Sequence, residues 1–111
     1  MTINPSTKEM RMVRGDSEMI VVRCPDEPFV PGDVIEFSVR KKVKTERLLH
    51  KIVTVFDNGV AHIMIDHSDT EPLDFGDYVY DIQVTRGSNG WVTTLVDTSK
   101  FVLKTEVTYD G

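Results

Sequence analysis

Hydrophobic and polar residues alternate along most of the chain in short runs, and turn residues separate one run from the next. Residues 34–40 (VIEFSVR) show the pattern, because Ile35, Phe37 and Val39 fall on one face of an extended strand and polar residues fall on the other. A period of two with one apolar face indicates antiparallel β-strands whose second face meets water. We count about seven or eight such strands, at the turn spacing of a β-sandwich.

Two Asn-Gly pairs predict where the chain turns between strands. Asn58-Gly59 lies between runs of β-branched and aromatic residues. Both central residues of a type I′ turn need a positive φ, which Asn and Gly tolerate, so we expect the flanking strands to form a hairpin. Asn89-Gly90 predicts a second hairpin, followed by a strand from Trp91 to Val96 and a last strand from Phe101 to about Val107.

The start of the chain predicts a tail and then two early strands. The first nine residues lack periodicity, so we expect residues 1–9 to form a flexible tail and residues 10–111 to form a single domain. Strands are expected near Met10–Val13 and Glu18–Arg23. The turn residues Gly15–Ser17 between them either separate two strands or form a bulge in one longer strand.

One short segment resembles the corner of an immunoglobulin-like sandwich. In such domains a tyrosine near the start of a strand donates its hydroxyl to the backbone a few residues upstream. Asp74, Gly76 and Tyr78 have the spacing of this corner, and Tyr80 takes the inward position two residues later. Gly76 lets the chain bend before the strand begins. The segment therefore predicts an all-β, immunoglobulin-like antiparallel sandwich, and a binding edge is the alternative interpretation.

The charge balance argues against two classes of partner. The chain has 111 residues and a formal net charge of -5 at pH 7. An acidic surface repels phosphate backbones and anionic bilayers, so we expect neither nucleic acid nor a membrane as partner. No apolar run reaches the length of a signal peptide or a membrane span, and the single Cys24 cannot form an internal disulfide. We therefore expect synthesis in the cytoplasm.

No pattern in the sequence supports catalysis, a cofactor or a metal site. Cys24 has no histidine near it in the sequence, which favours a partly buried thiol over a nucleophile. His62 and His67 fall on opposite faces of a strand, which is poor spacing for joint ligation. We predict no catalytic, cofactor-binding or metal-binding residue. A small metal-assisted enzyme is an alternative that requires His50, His62 and His67 to converge.

Five residues are candidates for contacts with a partner. Phe29 lies in a loop with three prolines, and Trp91 begins a strand after a turn. Lys41, Lys42 and Lys44 belong to the basic run RKKVKTER. The favoured interpretation of this run is a solvated edge that lysines protect against sheet-to-sheet pairing, and the second is a docking patch for an acidic partner.

Three stretches together resemble a known group of small β domains. They are GDVIEFSVRK at residues 32–41, GDYVYDIQVT at residues 76–85 and GWVTTLVDTSKFVLKTEVT at residues 90–108. Their order resembles domains encoded in phages and prophages of Gram-positive bacteria, above all the N-terminal domain of the phage baseplate upper protein family. The resemblance implies a role in assembly, through contacts with other tail or virion proteins or with copies of the same chain. It implies no enzymatic residues and a final place in the phage tail.

A function of another class is also compatible with the sequence. A carbohydrate- or ligand-binding sandwich would use Trp91, Tyr109 and Phe75 as stacking platforms. Such a module should expose a pair of coplanar aromatic rings beside polar groups. An assembly module should instead have a symmetric interface above about 1,000 Å².

Overall fold

The computed structural model of the chain describes residues 2–3, 9–24 and 26–104. These residues form eight β-strands and one short helix. The elements are β1 (Thr2–Ile3), β2 (Met10–Val13), β3 (Glu18–Val22), β4 (Val34–Arg40), β5 (Arg47–Val53), β6 (Ala61–Ile65), α1 (His67–Thr70), β7 (Gly76–Thr85) and β8 (Val92–Lys104). Within the described ranges, no helix has the length and apolar character that a bilayer crossing requires.

The strands form two sheets. The larger has the order β2-β8-β7-β4-β5, and the smaller has the order β1-β3-β6. The prediction of an all-β fold is confirmed. The prediction that the strands are antiparallel throughout is wrong, because β2 runs parallel to β8 and β1 runs parallel to β3. Side chains alternate with the same period in both kinds of pairing, so the sequence pattern does not reveal strand direction.

The chain crosses between the sheets at two predicted turns. β2 and β3 lie in different sheets, so the turn at Arg14-Gly15 joins the sheets. The Asn58-Gly59 turn forms, with φ values of 51° and 78°, but β5 and β6 on either side of it also lie in different sheets. The prediction that these strands pair as a hairpin is therefore wrong. An Asn-Gly pair determines the backbone conformation of a four-residue turn. Which strands pair depends instead on the sheet in which each apolar face is buried.

The second hairpin forms as the sequence predicts. β7 and β8 pair in antiparallel fashion on either side of residues 86–91. β8 is one strand of 13 residues where the sequence predicts two, and its pairing shifts register opposite Tyr80–Gln83. The predicted extension of the last strand to Val107 lies outside the described residues.

One short element lies inside the predicted tail. Thr2–Ile3 form β1 and pair with Val21–Val22 of β3. Two residues are too few to show a period, so no sequence pattern marks this strand. Residues 4–8 of the predicted tail lie outside the described residues.

Both sheets contribute to one hydrophobic core. Phe37, Tyr80 and Phe101 lie on adjacent strands of the larger sheet, with ring centroids 5.8 to 6.4 Å apart. Ile20 and Ile63 of the smaller sheet are fully buried in the same cluster. Burying one such side chain contributes about 1.5–3 kcal/mol. The core therefore holds the two sheets together.

A tyrosine hydroxyl fixes the bend before β7. The hydroxyl of Tyr78 donates to the carbonyl oxygen of Asp74 at 2.8 Å. Gly76 between them has a φ of 135°, which only glycine adopts readily. Burial raises the pKa of Tyr78, and the charge of Asp74 raises it further. Burial raises the pKa of Tyr80 to about 12. Both phenols are therefore neutral at physiological pH.

The six connecting segments that follow β2 along the chain gather at the two ends of the sheets. Strand direction and register put three of them where β4, β6 and β8 begin and three where those strands end. The first end, here called the three-loop end, consists of residues 23–24 and 26–33 of the first loop, residues 54–60 of the second and residues 86–91 of the third. The opposite end, called the helix end, consists of residues 14–17, 41–46 and 66–75.

Replacing Tyr78 with Phe is expected to lower the free energy of unfolding by about 1 kcal/mol, because the bend loses one hydrogen bond while the ring still packs. Urea unfolding followed by circular dichroism measures this. Asp74→Asn is the matched control, since the acceptor is the backbone oxygen of residue 74, and its effect should stay below about 0.5 kcal/mol. Equal losses in the two variants would contradict a role for the hydroxyl.

Candidate functional site

The structure divides the five predicted contact residues between the two ends. Phe29 and Trp91 belong to the three-loop end. Lys41, Lys42 and Lys44 belong to the segment between β4 and β5 at the helix end. The two groups are separated by the length of the strands, so they belong to different surfaces.

Phe29 is part of the core. Its side chain is only 3% exposed, and its ring centroid lies 5.3 Å from that of Phe56. The guanidinium carbon of Arg86 lies 5.2 Å from the centre of the same ring. Phe29 is therefore a core residue, and its role as a contact residue stays a prediction. The prolines around it indicate a loop, but they do not show that this loop folds back onto the core.

Exposed apolar side chains lie at the three-loop end around this buried ring. The exposed fraction is 82% for Val55, 67% for Trp91 and 52% for Val30, one residue from each of the three loops. Val92, the first residue of β8, is also exposed. Four of the ten large apolar side chains that are exposed in the described residues lie at this end, and grouped exposed apolar side chains are typical of a protein-binding site. The three-loop end is therefore the candidate interaction surface.

A pocket of about 270 Å³ opens on this surface. Its lining is mostly apolar and comes from the first two loops: Phe29, Pro31, Thr54, Val55, Phe56 and Gly59. Pockets with apolar walls and few polar groups suit an apolar side chain. The pocket therefore gives the exposed surface a cavity that an anchoring side chain of a partner could fill.

A buried ion pair holds the first and third loops together. Nη1 of Arg86 donates to Oδ2 of Asp33 at 2.8 Å, and Nη2 donates to the carbonyl oxygen of Glu27 at 2.8 Å. Asp33 also accepts from the backbone N–H groups of Val30 and Gly87, each at 3.0 Å. Both charged side chains are buried. The carboxylate and the guanidinium thus replace their lost hydration with hydrogen bonds.

Two glycines let the loops pack closely. A Cβ atom at Gly87 would clash with the carbonyl group of Gly32, so the third loop touches the first. A Cβ atom at Gly59 would lie 2.7 Å from the Cβ atom of Pro28, so the second loop touches the first as well. The three loops therefore support one another, and the exposed side chains stand on a packed base.

Asp33 is ionised in the folded protein. Burial alone would raise its pKa, but the N–H groups of Val30 and Gly87 and the guanidinium of Arg86 outweigh burial. The pKa of Asp33 therefore lies below its ordinary value of 3.8. The ion pair is present throughout the physiological pH range.

The three lysines have different surroundings. Nζ of Lys41 donates to the carbonyl oxygen of Asp77 at 3.2 Å and lies 4.5 Å from the ring centre of Tyr78. Lys41 therefore supports the bend before β7. Lys44 lines a cleft on the outer face of the larger sheet. Lys42 contributes backbone atoms to a turn with Thr45.

The histidines do not assemble a metal site. His50 of β5 lies 3.5 Å from Glu36, and His67 of α1 lies 3.2 Å from Glu71. His62 belongs to β6 in the other sheet. Among the residues that the structure describes, no three His, Cys, Asp or Glu side chains are placed to hold a metal ion. The convergence that a metal-assisted enzyme requires is not present in this part of the chain.

The predicted stacking residues do not lie together. Trp91 is at the three-loop end, whereas Phe75 is at the helix end, where the guanidinium carbon of Arg14 lies 5.1 Å from the centre of its ring. Tyr109 lies outside the described residues. Trp91 and Phe75 therefore form no coplanar pair.

The sequence gives no sign of Arg86 as the centre of this end. Its ion-pair partner Asp33 lies 53 positions away along the chain, and the local pattern explains Asp33 as a turn residue. Val55 is different, because it continues the alternation of β5 past Val53. An apolar residue that lies between the end of a strand and an Asn-Gly turn is the sequence signal that could have identified the second loop.

Replacing Asp33 with Asn is expected to lower the free energy of unfolding by about 3 kcal/mol at pH 7, because it removes the buried counter-charge of the Arg86 guanidinium. Chemical denaturation measures the loss. Glu27→Gln is the control, since Glu27 lies 3.6 Å from the same guanidinium but is 74% exposed. Its ion pair is screened by water, so the loss should be less than about 1 kcal/mol. Similar losses would refute the buried pair as the main support of this end.

Acid should remove the contribution of Asp33. A carboxyl whose folded pKa is lowered stabilises the fold fully above its unfolded pKa, here near 3.8, and loses that contribution as the pH falls through the folded pKa. The stability difference between the wild type and Asp33→Asn should therefore shrink below about pH 4. Denaturation midpoints between pH 7 and pH 2 test this, and a constant difference would contradict it.

No protein-family model, no curated protein and no solved structure matches the chain.

Proposed function

We propose that this chain is a non-enzymatic assembly module that binds other proteins through the three-loop end. The observation that carries the proposal is the exposure of Val30, Val55 and Trp91 on three closely packed loops, the first and third of which Arg86 and Asp33 lock together. Exposed tryptophan is typical of the residues that dominate binding energy at interfaces. Because the loops are already packed, little conformational entropy is lost when a partner docks.

The finer fold in this proposal is an immunoglobulin-like sandwich. Two features support it. The chain crosses between the sheets after β2, β3, β5 and β6, and connections between the two sheets are a feature of Greek-key sandwiches. The hydrogen bond from the hydroxyl of Tyr78 to the backbone of Asp74 has the form of a tyrosine corner. In domains of this kind, clustered loops at one end of the sandwich form the binding surface.

The partners in this proposal are other proteins of a phage or prophage particle, in its tail or baseplate, or further copies of the same chain. The support is the resemblance of three stretches to the N-terminal domain of the phage baseplate upper protein family. Those stretches contain β4, β7 and β8, which are neighbours in the larger sheet. The resemblance therefore covers one continuous part of the fold, and the protein would act in the particle after synthesis in the cytoplasm.

Trp91→Ala is expected to weaken binding to the partner about 30-fold, because a buried interface tryptophan contributes about 2 kcal/mol or more. The measurement co-expresses the chain with each protein encoded beside it, isolates complexes by size-exclusion chromatography with light scattering, and compares affinities by calorimetry. Phe75→Ala is the matched control, an exposed aromatic residue at the helix end, and it should leave the affinity unchanged.

Two results would overturn the proposal. One is a purified chain that stays monomeric at high concentration and binds none of the proteins encoded beside it. The other is a complex that Phe75→Ala weakens and Trp91→Ala does not, which would move the interface to the helix end.

A further inference from the structure

A second cavity lies on the outer face of the larger sheet, away from the three-loop end. This cleft has a volume of about 250 Å³. It lies between the segment 41–46 and the strands β4, β7 and β8, and here it is called the outer-face cleft. Its lining residues are Arg40, Val43, Lys44, Val79, Tyr80, Asp81 and Thr98. Two cationic side chains therefore face a small cavity with partly apolar walls.

Arg40 has hydrogen-bonding capacity left over in this cleft. Its Nε donates to the carbonyl oxygen of Thr45 at 3.0 Å. Its Nη1 lies 4.0 Å from Oδ1 of Asp81, which is too far for a hydrogen bond. The two terminal amino groups of a guanidinium form a planar fork that matches the two oxygens of a carboxylate. Asp81 leaves that fork open and offsets only part of the positive charge.

Lys44 has an unusual backbone for a lysine. Its φ is 68°, in the left-handed region where glycine and asparagine are common and lysine is not. The turn that holds it is well bonded, because Thr45 donates its hydroxyl to the carbonyl oxygen of Lys42 at 2.6 Å and its N–H to the same oxygen at 3.2 Å. Among the described residues, the ammonium group of Lys44 has no ion pair or hydrogen bond. Backbone strain is common at binding sites. An ammonium group without a partner is available to a ligand.

The neighbouring lysines make the contrast clear. Lys41 uses its ammonium group on the carbonyl oxygen of Asp77 and the ring of Tyr78. Lys42 is exposed and does not line the cleft. Lys44 is therefore the lysine of this run that faces the cavity together with Arg40, and a general excess of positive charge does not explain its position.

We propose that the outer-face cleft binds a carboxylate on a short apolar stem, with Arg40 and Lys44 holding the two oxygens. Thr98, Val43 and Val79 line the same cavity. In this proposal Thr98 supplies a further donor through its hydroxyl, and the two valines contact the stem. A glutamate or aspartate side chain of a partner protein has this chemistry. The site is separate from the three-loop end, so a test of this proposal is independent of a test of docking there.

Asp81 competes with the ligand for Arg40. Its carboxylate stands across the cleft at 4.0 Å from the guanidinium and repels an incoming anion. A ligand carboxylate gains because it reaches Lys44 as well, and because it can approach the guanidinium fork at hydrogen-bonding distance. Removing the charge of Asp81 should therefore tighten binding.

The test is a titration of the isotope-labelled protein with N-acetyl-glutamate α-amide, followed by amide chemical shifts. The corresponding glutamine derivative is the uncharged control for the ligand. We expect saturable shifts at Val43, Val79 and Thr98 with the glutamate probe and none with the glutamine probe. Lys44→Asn should weaken binding about tenfold, and Asp81→Asn should strengthen it several-fold.

Lys42→Asn is the matched control variant, because it removes the same charge from the same turn outside the cleft. It should change the affinity less than twofold. Asparagine tolerates a positive φ, so Lys44→Asn should keep or raise the melting temperature, which separates loss of binding from loss of folding. Equal weakening by the two asparagine variants would overturn the site in favour of general charge attraction.

Two further titrations distinguish the source of the carboxylate. Inorganic phosphate that shifts the same amides at lower concentration than the glutamate probe would overturn the choice of a carboxylate. Shifts at the cleft that grow with protein concentration and disappear in Lys44→Asn would support the site, with a second copy of the chain as the source. The absence of saturable shifts with every probe would overturn the proposal.

Discussion

The buried pair of Arg86 and Asp33 is the interaction on which the three-loop end depends. Taking two charges out of water costs several kcal/mol for each ion unless close hydrogen bonds replace the water. Here the carboxylate accepts from the guanidinium and from two backbone N–H groups, and the guanidinium also donates to the carbonyl oxygen of Glu27. Because Asp33 precedes β4 and Arg86 follows β7, one pair fixes two loops at neighbouring strands.

The buried ion pair supports the exposed apolar side chains of the three-loop end. The backbone N–H of Arg86 donates to the carbonyl oxygen of Trp91 at 2.8 Å, so the residue that anchors the loops also positions the exposed indole. Val30 is tied to the same carboxylate through its N–H. Apolar side chains on a mobile loop would collapse onto one another or lose much entropy on binding. On a fixed base they present a surface of defined shape.

Near the helix end, the cationic side chains of the basic run have different roles. Lys41 stabilises the bend at Tyr78, whereas Arg40 and Lys44 face a cleft on the outer face of the sheet. The same basic run therefore contains Lys41, which stabilises the fold, and Lys44, whose ammonium group has no partner among the described residues. The fold thus offers two surfaces of different chemistry, one apolar at the three-loop end and one cationic beside the helix end.

The sequence by itself determined the local features: the all-β class, the bend at Asp74–Tyr78, and the turns at Asn58-Gly59 and Asn89-Gly90. These depend on alternation and on a positive φ at Asn58, Gly59, Gly76 and Gly90, which neighbouring residues decide. Tertiary structure alone decided which strands pair, that Phe29 is buried, and that Arg86 meets Asp33 across 53 positions. The physical reason is that burial and ion pairing depend on contacts between distant segments, and a single sequence records side-chain character without recording which segments meet.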